Sequence, residues 1–185
     1  METAKLQKEL QSLLGDRFST LDSKKSNYAR GEDIFDPVLP QAVAFPNSNE
    51  EVSSIIKFCN KNLIPIIPFG TGTSLEGHVL GNNQGITISL ENMNKVLSVN
   101  VEDFDCRVQA FVTRKQINEH LRDKGVFFPI DPGADASLGG MASTSASGTM
   151  TVRYGTMKSV VTGLTVVLPN GKIIKSGTRT KKTAA

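Results

Sequence analysis

The chain has 185 residues, 38% of them hydrophobic and 21% charged, and a formal net charge of +3. That balance fits a globular protein with apolar material for one or two compact units, and it excludes a disordered chain. The charge excess is too small for a nucleic-acid surface, and no apolar run reaches the ~20 residues of a membrane-spanning helix.

The first residues, Met-Glu-Thr-Ala-Lys-Leu-Gln-Lys-Glu-Leu, lack both the apolar core of a secretory leader and the arginine-rich, acid-poor character of a mitochondrial presequence. A cytoplasmic protein, or one peripheral to the inner membrane, is the expectation. Leu6, Leu10, Leu13, Leu14 and Phe18 recur at helical spacing, which predicts an amphipathic helix within an N-terminal segment over residues 1–35. Val43 to Phe45 predicts a short strand. Ser48-x-x-Glu51 reads as a capping box opening a helix to about Lys61, with Val52, Ile55, Ile56 and Cys59 on its apolar face. Leu63, Ile64, Ile66 and Ile67 predict a buried strand ending at Pro68, so the first subdomain reads as β–α–β. Cys59 and Cys106 have no metal-ligand spacing, and burial is the expectation for Cys59.

The run P-F-G-T-G-T-S-L-E-G-H follows from Pro68 to His78. Gly70, Gly72 and Gly77 lie among the hydroxyls of Thr71, Thr73 and Ser74. Such residues let successive N–H groups approach one anion. The run is not a P-loop, because Gly72-x4-Gly77 is followed by His78 where a lysine is needed. It is not a Rossmann fingerprint either, because Leu75 stands where the third glycine belongs. A glycine-rich turn without a ligand remains the alternative.

Further along, Ile86 to Leu90 alternates like a half-buried strand, and Val108 to Val112 predicts another. Thr113-x-x-Gln116 caps a helix through Ile117 and Leu121 that stops at Gly125. From Ser137 to Gly148 nearly every side chain is Gly, Ala, Ser or Thr. This predicts a thin wall for a flat ligand, with Ser137 capping a short helix whose free N–H groups face an anion. Close packing of small-residue helices is the alternative. Pro169-Asn170-Gly171 between Leu164–Leu168 and Lys172–Lys175 predicts a hairpin. The two histidines, His78 and His120, cannot build a histidine-rich metal site. The basic tail of Lys175, Arg179, Lys181 and Lys182 reads as a solvated stretch. The fold class is α+β.

Together, P-F-G-T-G-T-S-L-E-G-H and D-P-G-x-x-x-S-L-G-G-M-x-x-T-x-A-S-G-T-x-x-V-R-Y-G-T-M resemble the FAD-binding half of flavoproteins of the vanillyl-alcohol-oxidase (PCMH) type. Within them, the group of D-lactate dehydrogenase (cytochrome) and the D-type subunit of glycolate oxidase is most similar. The S-L-G-G-M and V-R-Y-G-T-M runs argue against an alditol oxidase or a UDP-sugar reductase. The resemblance implies a PCMH-type FAD-binding domain over residues 36–185, made of two α/β subdomains with FAD between them.

It also implies cofactor roles. Pro68, Gly70, Thr71, Gly72, Thr73 and Ser74 would take the pyrophosphate. Pro132, Gly133, Ser137, Gly139, Gly140, Met141, Thr144, Gly148, Tyr154 and Gly155 would face the flavin, and Gly163 and Val166 on a later strand would pass near the adenosine end. Arg153 is a further candidate that could equally pair with a carboxylate. The histidine that tethers flavin in some members is replaced by Thr73, which implies noncovalent FAD. The family's domain continues past the position of Ala185 into a cap that holds a divalent metal and the 2-hydroxy acid, so a C-terminally truncated piece without catalytic residues is expected. The implied chemistry is oxidation of a D-2-hydroxy acid, with electrons passed to a cytochrome or quinone. A noncatalytic FAD-binding module, or one part of a split glycolate-oxidase-like enzyme, is the alternative.

Overall fold

A computed structural model describes residues 2–180, with side chains from Lys8 onward. It divides into two compact units: residues 1–92 with 167–173, and residues 93–166 with 174–185.

The first unit begins with α1 (Glu2–Leu14), β1 (Phe18–Ser19) and α2 (Asp22–Lys25), followed by β2 (Ala42–Ala44), α3 (Asn49–Lys61), β3 (Ile66–Phe69) and β4 (Ile86–Ser89). Its sheet runs β1-β2-β4-β3. β1 is antiparallel to β2, while β4 lies parallel between β2 and β3, pairing Ile86 with both Ala42 and Ile66. The predicted β–α–β crossover is therefore present, with β4 inserted between its two strands.

β4 is buried along its whole length rather than half-buried. A central strand covered on both faces has no solvent side for alternation to mark. Leu10, Leu14 and Phe18 pack with Ile55, Cys59, Ile86 and Ile88 in one apolar cluster. The N-terminal segment thus contributes a helix and a strand to this core. Leu13 turns outward at 44% exposure, and Phe18 lies beyond the helix end; the expectation for Leu6 falls outside the described side chains.

Ser48 caps α3 as predicted, accepting from the Glu51 N–H. The return half of the capping box differs. The Glu51 carboxylate pairs with Arg17 through both oxygens, which holds it below the usual carboxylate range, and it also accepts from the Asn47 N–H at 2.7 Å. The strand after α3 starts at Ile66. Leu63 is 90% exposed and adopts a left-handed conformation that ends the helix.

The second unit holds β5 (Val96–Asn100), β6 (Asp105–Val108), α4 (Arg114–Leu121), α5 (Leu138–Ser143), α6 (Thr151–Tyr154), α7 (Met157–Val160) and most of the hairpin β7 (Gly163–Val167) and β8 (Ile173–Gly177). β5 and β6 pair antiparallel, with an irregularity between Val96 and Ser98. The strand expected at Val108–Val112 ends where it was to begin, because Val112 is drawn into the core with Ile117, Leu121 and Leu138. Thr113 caps α4 through the Gln116 N–H. A second cluster joins Ile130, Met141 and Met157. The hairpin turn packs on α3 within the first unit: Ser53 donates to the Gly171 carbonyl and Asn60 to that of Pro169. No described helix is long and apolar enough to cross a membrane.

Candidate functional site

In the first unit, β3 delivers the chain into the loop at Phe69 and Gly70. No helix follows; the next element is β4. Any anion here is therefore met by loop amides rather than by a helix terminus. Leu75, 68% exposed, sits freely in a position that would clash in a Rossmann turn.

Gly72 has φ +74, and a Cβ on it would lie 2.8 Å from Phe69 Cζ. Among the described residues, the N–H groups of Gly72, Thr73 and Ser74 have no backbone or side-chain acceptor. Thr71 and Thr73 bring their hydroxyls within 3.4 Å of each other. Ser74 Oγ lies 2.9 Å from His78 Nδ1, which places exposed His78 at the loop's end as a polar partner. Undonated amides in a loop whose Gly72 position excludes a side chain fit a pyrophosphate.

Behind the loop, Tyr28 packs edge-on against Phe69 with ring centroids 5.0 Å apart, and it donates to Glu91 Oε2 at 2.6 Å. Burial first, and then this hydrogen bond, push its pKa up to about 12. The folded state therefore keeps the phenol proton longer than the unfolded chain. The resulting stability is complete below the unfolded value of ~10 and is lost as the pH rises through the folded one. Ultraviolet titration should show one of the two tyrosines ionising near 12. Tyr28→Phe should remove that transition, and its survival in the variant would contradict the assignment.

In the second unit the small-residue segment is α5 followed by an irregular turn. Ser137 occupies the N-cap position but makes no capping bond there. The first two helical amides are not free: Leu138 donates to the Val112 carbonyl and Gly139 to that of Ala110, both at 2.8 Å. The predicted anion-facing helix end is corrected by these bonds, which fasten α5 to the segment before α4. Ser143 and Thr144 turn their hydroxyls onto the carbonyls of Gly139 and Gly140.

Several residues expected on the wall have internal duties. Met141 is 1% exposed and belongs to the core with Ile130 and Met157. A Cβ on Gly139 would meet Ala110 at 2.8 Å, one on Gly148 would meet Asp131 at 2.3 Å, and one on Gly155 would meet Ser159 at 2.5 Å. These three glycines serve close packing, though none of the contacts joins two helices as the alternative expected. Gly133 has nothing near it, and Gly140 has only Ser137 Oγ at 3.0 Å, so these two leave an open face.

Tyr154 stacks edge-on against Phe127 at 5.6 Å, with Arg153 over its ring at 5.5 Å. That aromatic contact takes the place of the carboxylate partner considered for Arg153. Pro132 lies partly buried in the turn beside Gly133, and Gly163 and Val166 are the first and the penultimate residues of β7.

Two features were missed. Asp131 organises the turn after α5, accepting from Thr149 Oγ1 and from the Met150 N–H at 2.9 Å. These bonds, the Thr149 hydroxyl's first, hold its carboxyl below the usual range. The Gly31–Asp33 segment lies against the Gly70–His78 loop, with the Glu32 N–H donating to the Gly72 carbonyl at 2.9 Å. Asp131 was visible as the first residue of D-P-G; Gly31 carried no local signal. Among the described residues, no group of three His, Cys, Asp or Glu could hold a metal ion.

A family model described as an FAD binding domain matches residues 40–177. The chain is 49% identical over 178 residues to a probable mitochondrial D-lactate dehydrogenase of Danio rerio, covering 94% of this chain and 36% of that protein. It is 41% identical to the mitochondrial D-lactate dehydrogenase (cytochrome) of Arabidopsis thaliana, covering 96% and 32%. It is 32% identical to glycolate oxidase subunit GlcD of Bacillus subtilis, covering 80% and 32%. The chain thus spans about a third of the length of these relatives. Its fold is shared with alkyldihydroxyacetonephosphate synthase (TM-score 0.83, 23% identity, 95% of this chain and 38% of that one). It is shared also with p-cresol methylhydroxylase (TM-score 0.73, 21% identity, 95% and 35%). The fold is therefore PCMH-type.

Proposed function

The chain belongs to the FAD binding domain family, and we propose that it is the cofactor-holding part of a dehydrogenase oxidising a D-2-hydroxy acid, with D-lactate as substrate and pyruvate as product. The observation that carries this reading is 49% identity, over nearly the whole chain, to a protein named for that reaction. The amides of Gly72, Thr73 and Ser74, with Gly70, Thr71 and Pro68 around them, bind the pyrophosphate. Gly133, Gly140, Thr144 and Tyr154, with the neighbouring turn, face the flavin.

When bound, FAD supplies the acceptor for the hydride from C2 of the hydroxy acid. The chain's own part is to anchor the phosphates, orient the ring system and keep its faces clear; no residue here is proposed as the catalytic base. A cytochrome or quinone takes the electrons onward. The names of the eukaryotic relatives make mitochondria the compartment to compare by fractionation.

FAD is held without a covalent bond, because Thr73 stands where a tethering histidine would be and His78 is occupied with Ser74. Acid precipitation of the FAD-loaded protein should leave the yellow colour in the supernatant; colour in the washed pellet would contradict this. Bleaching of the flavin bands by D-lactate in the longest natural form of the protein tests the substrate. Bound flavin that D-lactate leaves oxidised, in that form, would favour the noncatalytic module.

A further inference from the structure

We infer that Gly31, with the Glu32 N–H and the Asp33 carboxylate, is a positioning element that aims the phosphate loop at its anion from behind. This rests on the FAD reading above.

Gly31 passes so near the loop that a Cβ built on it would lie 2.6 Å from the Gly72 carbonyl oxygen, 2.9 Å from that of Ser74 and 2.8 Å from Val79 Cγ2. Two of those atoms are backbone, so no rotamer change could relieve the clash. Next to it, the Glu32 N–H donates to the Gly72 carbonyl at 2.9 Å. A trans peptide sets its C=O and N–H in opposite directions. Fixing the Gly72 carbonyl toward Glu32 therefore turns the Thr73 N–H to the other side of the loop, where no described residue accepts it.

The clamp is itself held. Asp33 is 7% exposed, and its two carboxylate oxygens accept from the Gly31 and Phe35 N–H groups, each at 3.1 Å. The far end of the loop is tied to the same segment by the Gly81 N–H, which donates to the Ala29 carbonyl at 2.9 Å. Gly31, Glu32 and Asp33 all precede residue 40, where the match to the family model begins.

The test compares the full chain carrying Gly31→Ala, Asp33→Ala, Asp33→Asn or Glu32→Ala with the unaltered protein. It uses FAD fluorescence titration, thermal melting without FAD, and the amide spectrum of the apoprotein. Gly31→Ala should weaken FAD binding on the order of tenfold or more, the loss expected when a hydrogen bond to an anion is misdirected. It should also shift the Thr73 amide resonance before any cofactor is added, while a cooperative melt is kept. Glu32→Ala keeps the main-chain donor and should bind normally. Asp33→Asn should retain more affinity than Asp33→Ala, and this pair carries the comparison if Gly31→Ala does not fold. Unaltered affinity or an unmoved Thr73 amide in a folded Gly31→Ala protein would overturn the inference. If the unaltered chain binds no FAD, the proposed function falls, and the amide shift alone decides whether Gly31 sets the loop.

Discussion

Gly72→Val should abolish FAD binding by this chain. Gly72 holds φ +74, a conformation that a β-branched residue adopts only at a cost of ~1–2 kcal/mol or more. The new side chain would also begin 2.8 Å from Phe69 Cζ. Phe69 is 6% exposed and packed against Tyr28, so its ring has little room to yield. The loop must move instead, and with it the amides of Gly72, Thr73 and Ser74. Displacing these donors should raise the dissociation constant by ~100-fold or more, the equivalent of about two well-made hydrogen bonds to an anion. Fluorescence titration reads this directly, and a melting curve without FAD separates it from unfolding. Affinity equal to the unaltered protein's would remove this loop from the site.

Gly148→Ala should act on folding rather than on the cofactor. Its added methyl would lie 2.3 Å from both the main-chain carbonyl and the carboxylate of Asp131. That carboxylate is already engaged by Thr149 and Met150. Overpacking of this kind, against atoms that cannot withdraw, costs ~3 kcal/mol, and denaturant unfolding of the apoprotein should show it. Gly140→Ala should not, since only Ser137 Oγ stands near that position. Gly140→Leu should leave the melt near that of the unaltered chain while lowering flavin content, because its side chain projects from an exposed position. A Gly148→Ala protein as stable as the parent, or a Gly140→Leu protein that retains full flavin, would reverse the division between packing glycines and open-face glycines.

That division shows how far the sequence could be read. Both capping residues, Ser48 and Thr113, were legible because an N-cap is a contact between residues three apart. The Asn170-Gly171 hairpin was legible for the same reason, with Gly171 at φ +77. Leu63 misled, since the left-handed position ending α3 is filled by leucine where glycine would have signalled a stop. β5 escaped notice because its irregularity at Val96 and Ser98 breaks the alternation that marks a strand. The small-residue segment was visible by composition, but composition cannot tell a glycine pressed on Asp131 from one facing open space. The Gly31 clamp depends on residues about forty positions apart in the chain, which no local pattern records.

FAD binding by this chain requires that the Gly72–Ser74 amides receive its pyrophosphate. Titrating the full chain with FAD, and competing with inorganic pyrophosphate, measures that most directly. A saturable signal of one FAD per chain, reversed by pyrophosphate and absent in Gly72→Val, is the predicted result. No binding at saturating FAD, or binding untouched by both pyrophosphate and the Gly72→Val change, would contradict it.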